Sequence, residues 1–286
     1  MEFLSPTSLP DALAARAEHP GAVPITGGTD VMVELNFDRH RPPALLDLTR
    51  VPELATWDRV DGHVRLGAGV TYARVIDELA PALPGLALAS RTVGSPQIRN
   101  RGTVGGNLGA ASPAGDAHPV LLAAGAEVEL ASVSGVRRVP AAEFYTGPKR
   151  HAGRPDELVT AVWIPAATGP QQFSKIGTRN AMVIAVAAFG LALHPERQAV
   201  GTGIGSAGPT PLRARQAEAF LAAELDWDSR TDVADAAAAE FGRLVAAAAS
   251  PIDDVRGTAA YRRHALGVMA RRCLAWTWAD HQRAED

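Results

Sequence analysis

The segment Pro24-Ile25-Thr26-Gly27-Gly28-Thr29-Asp30-Val31 decides how the chain is read. A short apolar run, Ala22 to Thr26, feeds a double glycine and then an amphipathic stretch from Asp30 to about Phe37. The order is strand, glycine turn, helix. Glycine carries no Cβ, and a turn built on two of them bares consecutive backbone N–H groups to an anion such as phosphate. A second cluster has the same character. Thr103-Val104-Gly105-Gly106-Asn107 is followed by Ala111-Ser112-Pro113-Ala114-Gly115-Asp116, joining paired glycines to small hydroxyl and amide side chains that can bond a polyol. Each cluster alone reads first as an ordinary tight turn. Together they point to a pyrophosphate held between two loops that are distant in sequence.

Outward from these clusters, the first half alternates short apolar runs with helical patterns. Ser8 caps a helix through Leu13 and Ala17 that Pro20-Gly21 ends. Leu45, Leu46 and Leu48 form another apolar run, His63 to Val70 alternates as a strand, and Thr71 opens a helix through Ile76 and Leu79. Asp116 to Ala124 reads as a helix with Pro119 tolerated in its first turn. Strands follow at Glu127 to Val133 and Leu158 to Ile164. The breaker-rich Pro165-Ala166-Ala167-Thr168-Gly169-Pro170 then separates one domain, residues 1–168, from a second, residues 171–286. In the second, three β-like runs (Phe173 to Gly177, Met182 to Leu193, Ala199 to Ser206) precede helices at about Arg213 to Leu225, Asp232 to Ala249 and Ala259 to Ala279. Strands gathered ahead of helices mean α+β.

Composition narrows the class. With 28 basic and 31 acidic side chains among 286 residues, the formal charge is −3, which gives no cationic footprint for nucleic acid or a membrane surface. Apolar residues make up 47%, enough for packed cores, and 27 glycines with 21 prolines suit loop-rich α/β architecture rather than a bundle. Cys273 is the single cysteine, so this chain holds no disulfide, zinc cage or iron–sulfur cluster of its own. The histidines are scattered, and no intrinsic metal site is expected. The start lacks a basic segment followed by an apolar one, and no window reaches about 18 apolar residues, so neither a secretory signal nor a membrane span is expected. A cytoplasmic location follows as the expectation.

One motif misleads. Gly203-Ile204-Gly205-Ser206-Ala207-Gly208 matches the dinucleotide fingerprint Gly-x-Gly-x-x-Gly, but Pro209 and Pro211 follow at once. No helix N-terminus can begin at those glycines, so they read as a strand edge and turn. Lys175 draws attention because only it and Lys149 are lysines, Arg being the default cation here. It is either an exposed strand residue or a point charge placed for a ligand. Arg99, Asn100 and Arg101 either solvate a loop or face a ligand or partner.

The stretches ITGGTDVMVELN (25–36) and QIRNRGTVGGNLGAASPAGDAHPVLLAAGA (97–126) resemble the FAD-binding subunit of the molybdenum hydroxylases, the xanthine dehydrogenase and aerobic carbon monoxide dehydrogenase group. EFYTG (143–147) and QQFSKIGTRNAMVIA (171–185) lean the resemblance toward the bacterial xanthine dehydrogenase type. It extends over nearly the whole chain. The fold it implies is a vanillyl-alcohol-oxidase-type (PCMH-type) FAD domain of two α/β subdomains, then a smaller domain of a three-stranded antiparallel sheet plus helices. By the same resemblance the first FAD loop falls on Pro24, Ile25, Thr26, Gly27, Gly28, Thr29, Asp30 and Val31. The second falls on Thr103, Val104, Gly105, Gly106 and Asn107, and the acidic flavin contact on Asp116. Val93 takes a position that is often aromatic, Val159 an aliphatic contact near the adenine or flavin edge, and Lys175 a late lysine. Ser112 is added from proximity alone.

The resemblance implies an electron-transfer module with non-covalent FAD and NAD⁺ as acceptor. The molybdenum cofactor would sit on a large partner subunit and two 2Fe–2S clusters on a small one, in a heterotrimer commonly doubled. The flavin itself would carry the chemistry, with no catalytic side chain and no metal ligand in this chain. Two other readings stay open: a stand-alone flavin oxidase or reductase of the same fold, and a non-catalytic assembly protein.

Overall fold

The computed structural model describes residues 1–228 and 230–284. At the N-terminus, Glu2–Leu4, Ala44–Asp47 and Val23–Ile25 form a parallel sheet with Ala44–Asp47 in the middle. Parallel neighbours need crossovers, supplied by the helices Leu9–Glu18 and Val31–Asn36. Ser8 caps the first, its Oγ accepting from the Asp11 N–H at 3.2 Å. Ala12, Leu46, Leu48, Val51 and Leu54 make the core of this layer. Leu45 and Leu46 are both buried, as a strand covered on both faces requires.

A five-stranded antiparallel sheet follows, in the spatial order Trp57–Val60, His63–Gly67, Leu158–Pro165, Glu127–Ser132, Gly135–Pro140. Between its second and fourth strands the chain is helical: Tyr72–Glu78, Pro84–Thr92, Pro96–Arg101, Val104–Ala110 and Ala117–Ala124. Pro84–Thr92 and Pro96–Arg101 escape the sequence reading, because Gly94 and Pro96 interrupt the apolar periodicity between them. Each starts on a proline, and Ser95 caps the second through the Ile98 N–H.

Beyond residues 166–170, Gln171–Ile176, Ala187–His194 and Ala199–Gly205 pair antiparallel in chain order. The helices Arg215–Glu224, Asp235–Ala248 and Ala259–Arg283 follow. Met182 to Leu193 is not one strand, and that expectation is corrected: pairing begins at Ala187. Met182 sits at a left-handed φ of 50° and is exposed, so the chain must turn before it can join the sheet. Within the strand, Ala188 belongs to the core beneath the five-stranded sheet, and Phe189 to a second core with Phe241, Leu266 and Cys273. The alternation of side chains along one strand thus lets this sheet serve both cores.

The misleading glycines have a packing role. A Cβ on Gly203 would lie 1.9 Å from the Pro119 carbonyl oxygen, and one on Gly201 would lie 1.9 Å from that of Ala123. Bare backbone at these positions lets the helix Ala117–Ala124 lie directly on the sheet. Its N-terminal end carries Asp116, so the sheet sets where that carboxylate stands. Among the described residues no helix is long and apolar enough to cross a membrane.

Candidate functional site

The two glycine clusters meet in space. Thr26 Oγ1 and Thr103 Oγ1 lie 3.0 Å apart across 77 positions of chain. The first cluster leaves Val23–Ile25 through Gly28, whose φ of 73° suits glycine, and enters the helix Val31–Asn36. A Cβ on Gly27 would fall 1.9 Å from the Arg101 carbonyl oxygen, so the turn lies flush against the end of Pro96–Arg101. The second cluster is a helix start rather than a loop. Thr103 caps Val104–Ala110, its Oγ1 accepting from the Gly106 N–H at 2.9 Å. That cap and the packing of Gly105 on Ala68, where a Cβ would lie 2.4 Å away, override the poor helix propensity of paired glycines. A Cβ on Gly106 would stand 2.9 Å from Thr103 Oγ1 and 3.2 Å from Thr26 Oγ1. A cavity of about 170 Å³ opens here, lined in part by Thr26, Gly27, Thr71, Asn100, Arg101 and Thr103. Whole small-molecule sites measure about 300–1,000 Å³, so this cavity is smaller than a complete ligand site.

Lys175 is not an exposed strand residue. Its Nζ donates to Asp116 Oδ2 at 2.6 Å and to the Thr92 carbonyl at 3.2 Å, with under a tenth of each charged side chain exposed. Thr92 Oγ1 adds a bond to the same carboxylate oxygen at 3.3 Å. Burial raises the Asp116 carboxyl above the usual range, while Lys175 and Thr92 pull it back. Among the described residues Asp116 Oδ1 is buried without a hydrogen-bond partner. Val93, beside Thr92, is half-buried against the first core, and its carbonyl accepts from Arg99 at 3.1 Å.

The three residues preceding the second cluster divide by role. Arg99 bonds the carbonyls of Arg91, Val93 and Gly94 and so ties down the end of Pro84–Thr92. Asn100 and Arg101 line the cavity. Ser112 Oγ accepts from the Ala114 N–H at 3.3 Å, shaping the turn before Asp116. Val159 stands on the five-stranded sheet, half-buried, next to Thr160, whose carbonyl accepts from Ala68 under the second cluster. Pro24 and Asp30 are exposed at the edges of the first turn, while Ile25 and Val31 are half-buried. Thr29 is exposed, and Val104 is buried in the first core.

Sequence reasoning missed a buried polar group beside the second cluster. Tyr145 Oη lies 2.6 Å from His118 Nδ1, and both rings are buried in the first core. Burial pushes the His118 imidazole down to about 3, so it is neutral. Among the described residues its Nε2, which faces the Ser112 carbonyl, and Asn107 Oδ1 and Tyr72 Oη are buried without a well-formed hydrogen bond. His118 and Tyr145 lie within AGDAHP and EFYTG, but nothing in their spacing predicts that they touch. Cys273, by contrast, is core: burial pushes its thiol up to about 11, and Ser174 Oγ lies 3.1 Å from Sγ.

A glycine turn meeting a helix start, and a buried carboxylate held by a helix on the third sheet, are the features that the comparisons bear on. Residues 1–167 match the FAD binding domain in molybdopterin dehydrogenase, and residues 172–277 the CO dehydrogenase flavoprotein C-terminal domain. The chain therefore belongs to the FAD-binding medium subunits of the molybdenum hydroxylase family. It is 30% identical over 282 residues to the nicotine 6-hydroxylase medium subunit of Paenarthrobacter nicotinovorans, with 96% of each chain covered. It is 31% identical to the xanthine dehydrogenase FAD-binding subunit of Escherichia coli O157:H7, over 74% of this chain and 75% of that one. Among solved structures it superposes on carbon monoxide dehydrogenase from Hydrogenophaga pseudoflava with a TM-score of 0.89 and 27% identity, over 98% of both chains.

Proposed function

We propose that this chain is the FAD-binding electron-transfer subunit of a xanthine dehydrogenase-like molybdenum hydroxylase. In this reading it takes electrons from 2Fe–2S clusters on a small partner subunit and passes them to NAD⁺. The family match supports FAD as the cofactor, and the observation that carries the site is the meeting of Thr26 and Thr103 at 3.0 Å. Bound FAD supplies the ability to accept electrons singly and to release them as a hydride. The chain holds, orients and shields it. In this assignment the segments Thr26 to Thr29 and Thr103 to Asn107 would hold the pyrophosphate at the junction of the Thr26 and Thr103 hydroxyls, with Gly28 supplying the left-handed turn and Gly106 the space beside those hydroxyls. Asp116 Oδ1 accepts from a ring N–H, and Lys175 places a positive charge beside the same carboxylate. Val93 gives an apolar contact to the ring at the position that the resemblance marks as often aromatic in the eukaryotic enzymes. Val159, Ser112, Pro24, Ile25, Asp30 and Val31 complete the contact set.

The domains run over residues 1–168 and 171–286. A large subunit holding the molybdenum cofactor and a small 2Fe–2S subunit complete a heterotrimer that doubles in the cytoplasm. The xanthine-type assignment is supported by the relatives named for xanthine dehydrogenase and by the motif at 171–185. The test is purification from the native source under non-denaturing conditions. One FAD per chain, released on denaturation, together with two partner chains carrying iron and molybdenum, is the expected result. FAD that stays attached after denaturation points to a stand-alone oxidase. A colourless chain points to an assembly protein.

A further inference from the structure

The buried pair Tyr145 and His118 is left without a task by this assignment. Both rings are buried at the first core, where a polar group costs free energy unless it is hydrogen-bonded. The tautomer is fixed by the surroundings. A neutral imidazole has one N–H. Tyr145 donates its hydroxyl proton to Nδ1, which leaves the N–H on Nε2. The Ser112 carbonyl facing that side can only accept, which holds the proton on Nε2, and the Asn107 carboxamide beside it then meets that N–H with its oxygen. A Cβ on Gly115 would lie 2.2 Å from His118 Nε2 and 2.9 Å from Asn107 Oδ1, so both orphaned atoms look at one point beside Gly115. Neither makes a direct bond to the other, and one bridging water would span the gap between them. The donor and the acceptor are both buried, and apart from the Ser112 carbonyl facing Nε2 neither has a hydrogen-bond partner among the described residues.

Asn107 ends the second cluster and is half-buried. A carboxamide whose oxygen is held inward must direct its NH₂ outward, and an NH₂ is the half that suits phosphate or a polyol hydroxyl oxygen. An amide free to flip would spend part of its time presenting a repelling oxygen there. We propose that Tyr145 and His118 are positioning residues that set the orientation of Asn107, so that its NH₂ is presented as a donor to the bound cofactor. This rests on the FAD assignment above. Neither residue touches the cofactor; they act through Asn107.

The test compares FAD dissociation constants, by flavin fluorescence, for the full chain and its variants. Thermal unfolding of the FAD-free proteins serves as the measure of plain structural damage. Tyr145→Phe and His118→Asn, which lose the hydroxyl and the donor at the Nε2 position, are expected to weaken FAD binding about fivefold to tenfold. His118→Gln, whose amide reaches the Nε2 position, is expected to recover most of that loss at equal thermal stability. In an Asn107→Ala background, Tyr145→Phe is expected to add nothing, since the residue it acts through is gone. Nitrogen NMR of ¹⁵N-histidine-labelled, FAD-free chain should find His118 as the Nε2–H form in the wild type and as a mixture in Tyr145→Phe. Additive losses in the double variant, or His118→Gln no better than His118→Asn, overturn the inference and leave the FAD assignment standing. A wild-type chain that takes up no FAD overturns both.

Discussion

His118 is a neutral imidazole in a core, and its neutrality has a measurable consequence. The unfolded chain binds a proton near the ordinary value of 6.5, whereas the folded chain resists until about 3. The stabilising contribution is therefore complete above pH 6.5 and is lost as pH falls from there toward 3. Its slope is on the order of 1 kcal/mol per pH unit. Urea unfolding of the FAD-free protein should show a steeper loss between pH 7 and 5 in the wild type than in His118→Gln. Parallel curves would mean that the ring is already protonated or exposed. The buried ion pair gives a second expectation. Removing one partner of such a pair leaves an uncompensated charge, at a cost of about 3–5 kcal/mol, while replacing both by apolar groups of similar size is often nearly neutral. Lys175→Met should thus destabilise the chain markedly, and Lys175→Met with Asp116→Leu should restore most of the loss. With FAD loaded, Lys175→Met should also lower the flavin midpoint potential or the FAD affinity. If neither moves, the lysine serves the fold alone. No sequence pattern foretells this pairing, because the partners stand 59 positions apart and on different elements. Asp116 and Lys175 are marked individually by the resemblance, but their contact is a property of the helix Ala117–Ala124 lying on the third sheet.

Elements differ in how plainly their sequences declare them. Val23–Ile25, the glycine turn and Val31–Asn36 are local: an apolar run, a double glycine and a helical pattern follow one another within thirteen residues or so, and the structure adds only where they rest. The three-stranded sheet is declared by composition, except where Met182 turns the chain before Ala187. The first turn of Val104–Ala110 is declared by nothing local. Paired glycines read as a loop, and the helix exists because Thr103 caps it and Ala68 receives Gly105. Glycine substitutions separate these roles. Gly106→Val, facing the two threonine hydroxyls, and Gly28→Val, at a left-handed φ, should each abolish retention of FAD through gel filtration while the C-terminal helices stay folded. Gly203→Ala should instead strike the fold, since its methyl meets the Pro119 carbonyl at 1.9 Å. Overpacking of that kind costs roughly 1–3 kcal/mol, several degrees of melting temperature. Gly205→Ala meets only the tip of the Pro119 ring, at 2.9 Å, and should keep full flavin content. Normal FAD in both Gly106→Val and Gly28→Val would remove the two-segment cradle from the assignment.

At the scale of the molecule, the proposed division of labour makes this chain the flavin-binding partner. One cysteine, buried and with its thiol pushed up to about 11, cannot ligate a cluster. Among the described residues no group of His, Cys, Asp and Glu side chains is arranged to hold a metal ion. In the proposed assembly, substrate oxidation belongs to the molybdenum-bearing partner and this chain's share is the flavin exchange. The isolated, FAD-loaded chain should therefore pass electrons from NADH to an artificial dye, running the proposed half-reaction in reverse. It should not oxidise xanthine or any other hydroxylase substrate with the same dye. The dye assay is informative in both directions, because the flavin is common to them and the substrate site is not. NADH-dependent dye reduction that vanishes in Gly106→Val along with the flavin ties the activity to the cradle. Dye reduction by a dithionite-reduced chain but not by NADH would keep the flavin and replace NAD⁺ by another acceptor. Xanthine-dependent turnover by the pure chain would place a substrate site where this reading has none, and the assignment as an electron-transfer subunit would fall.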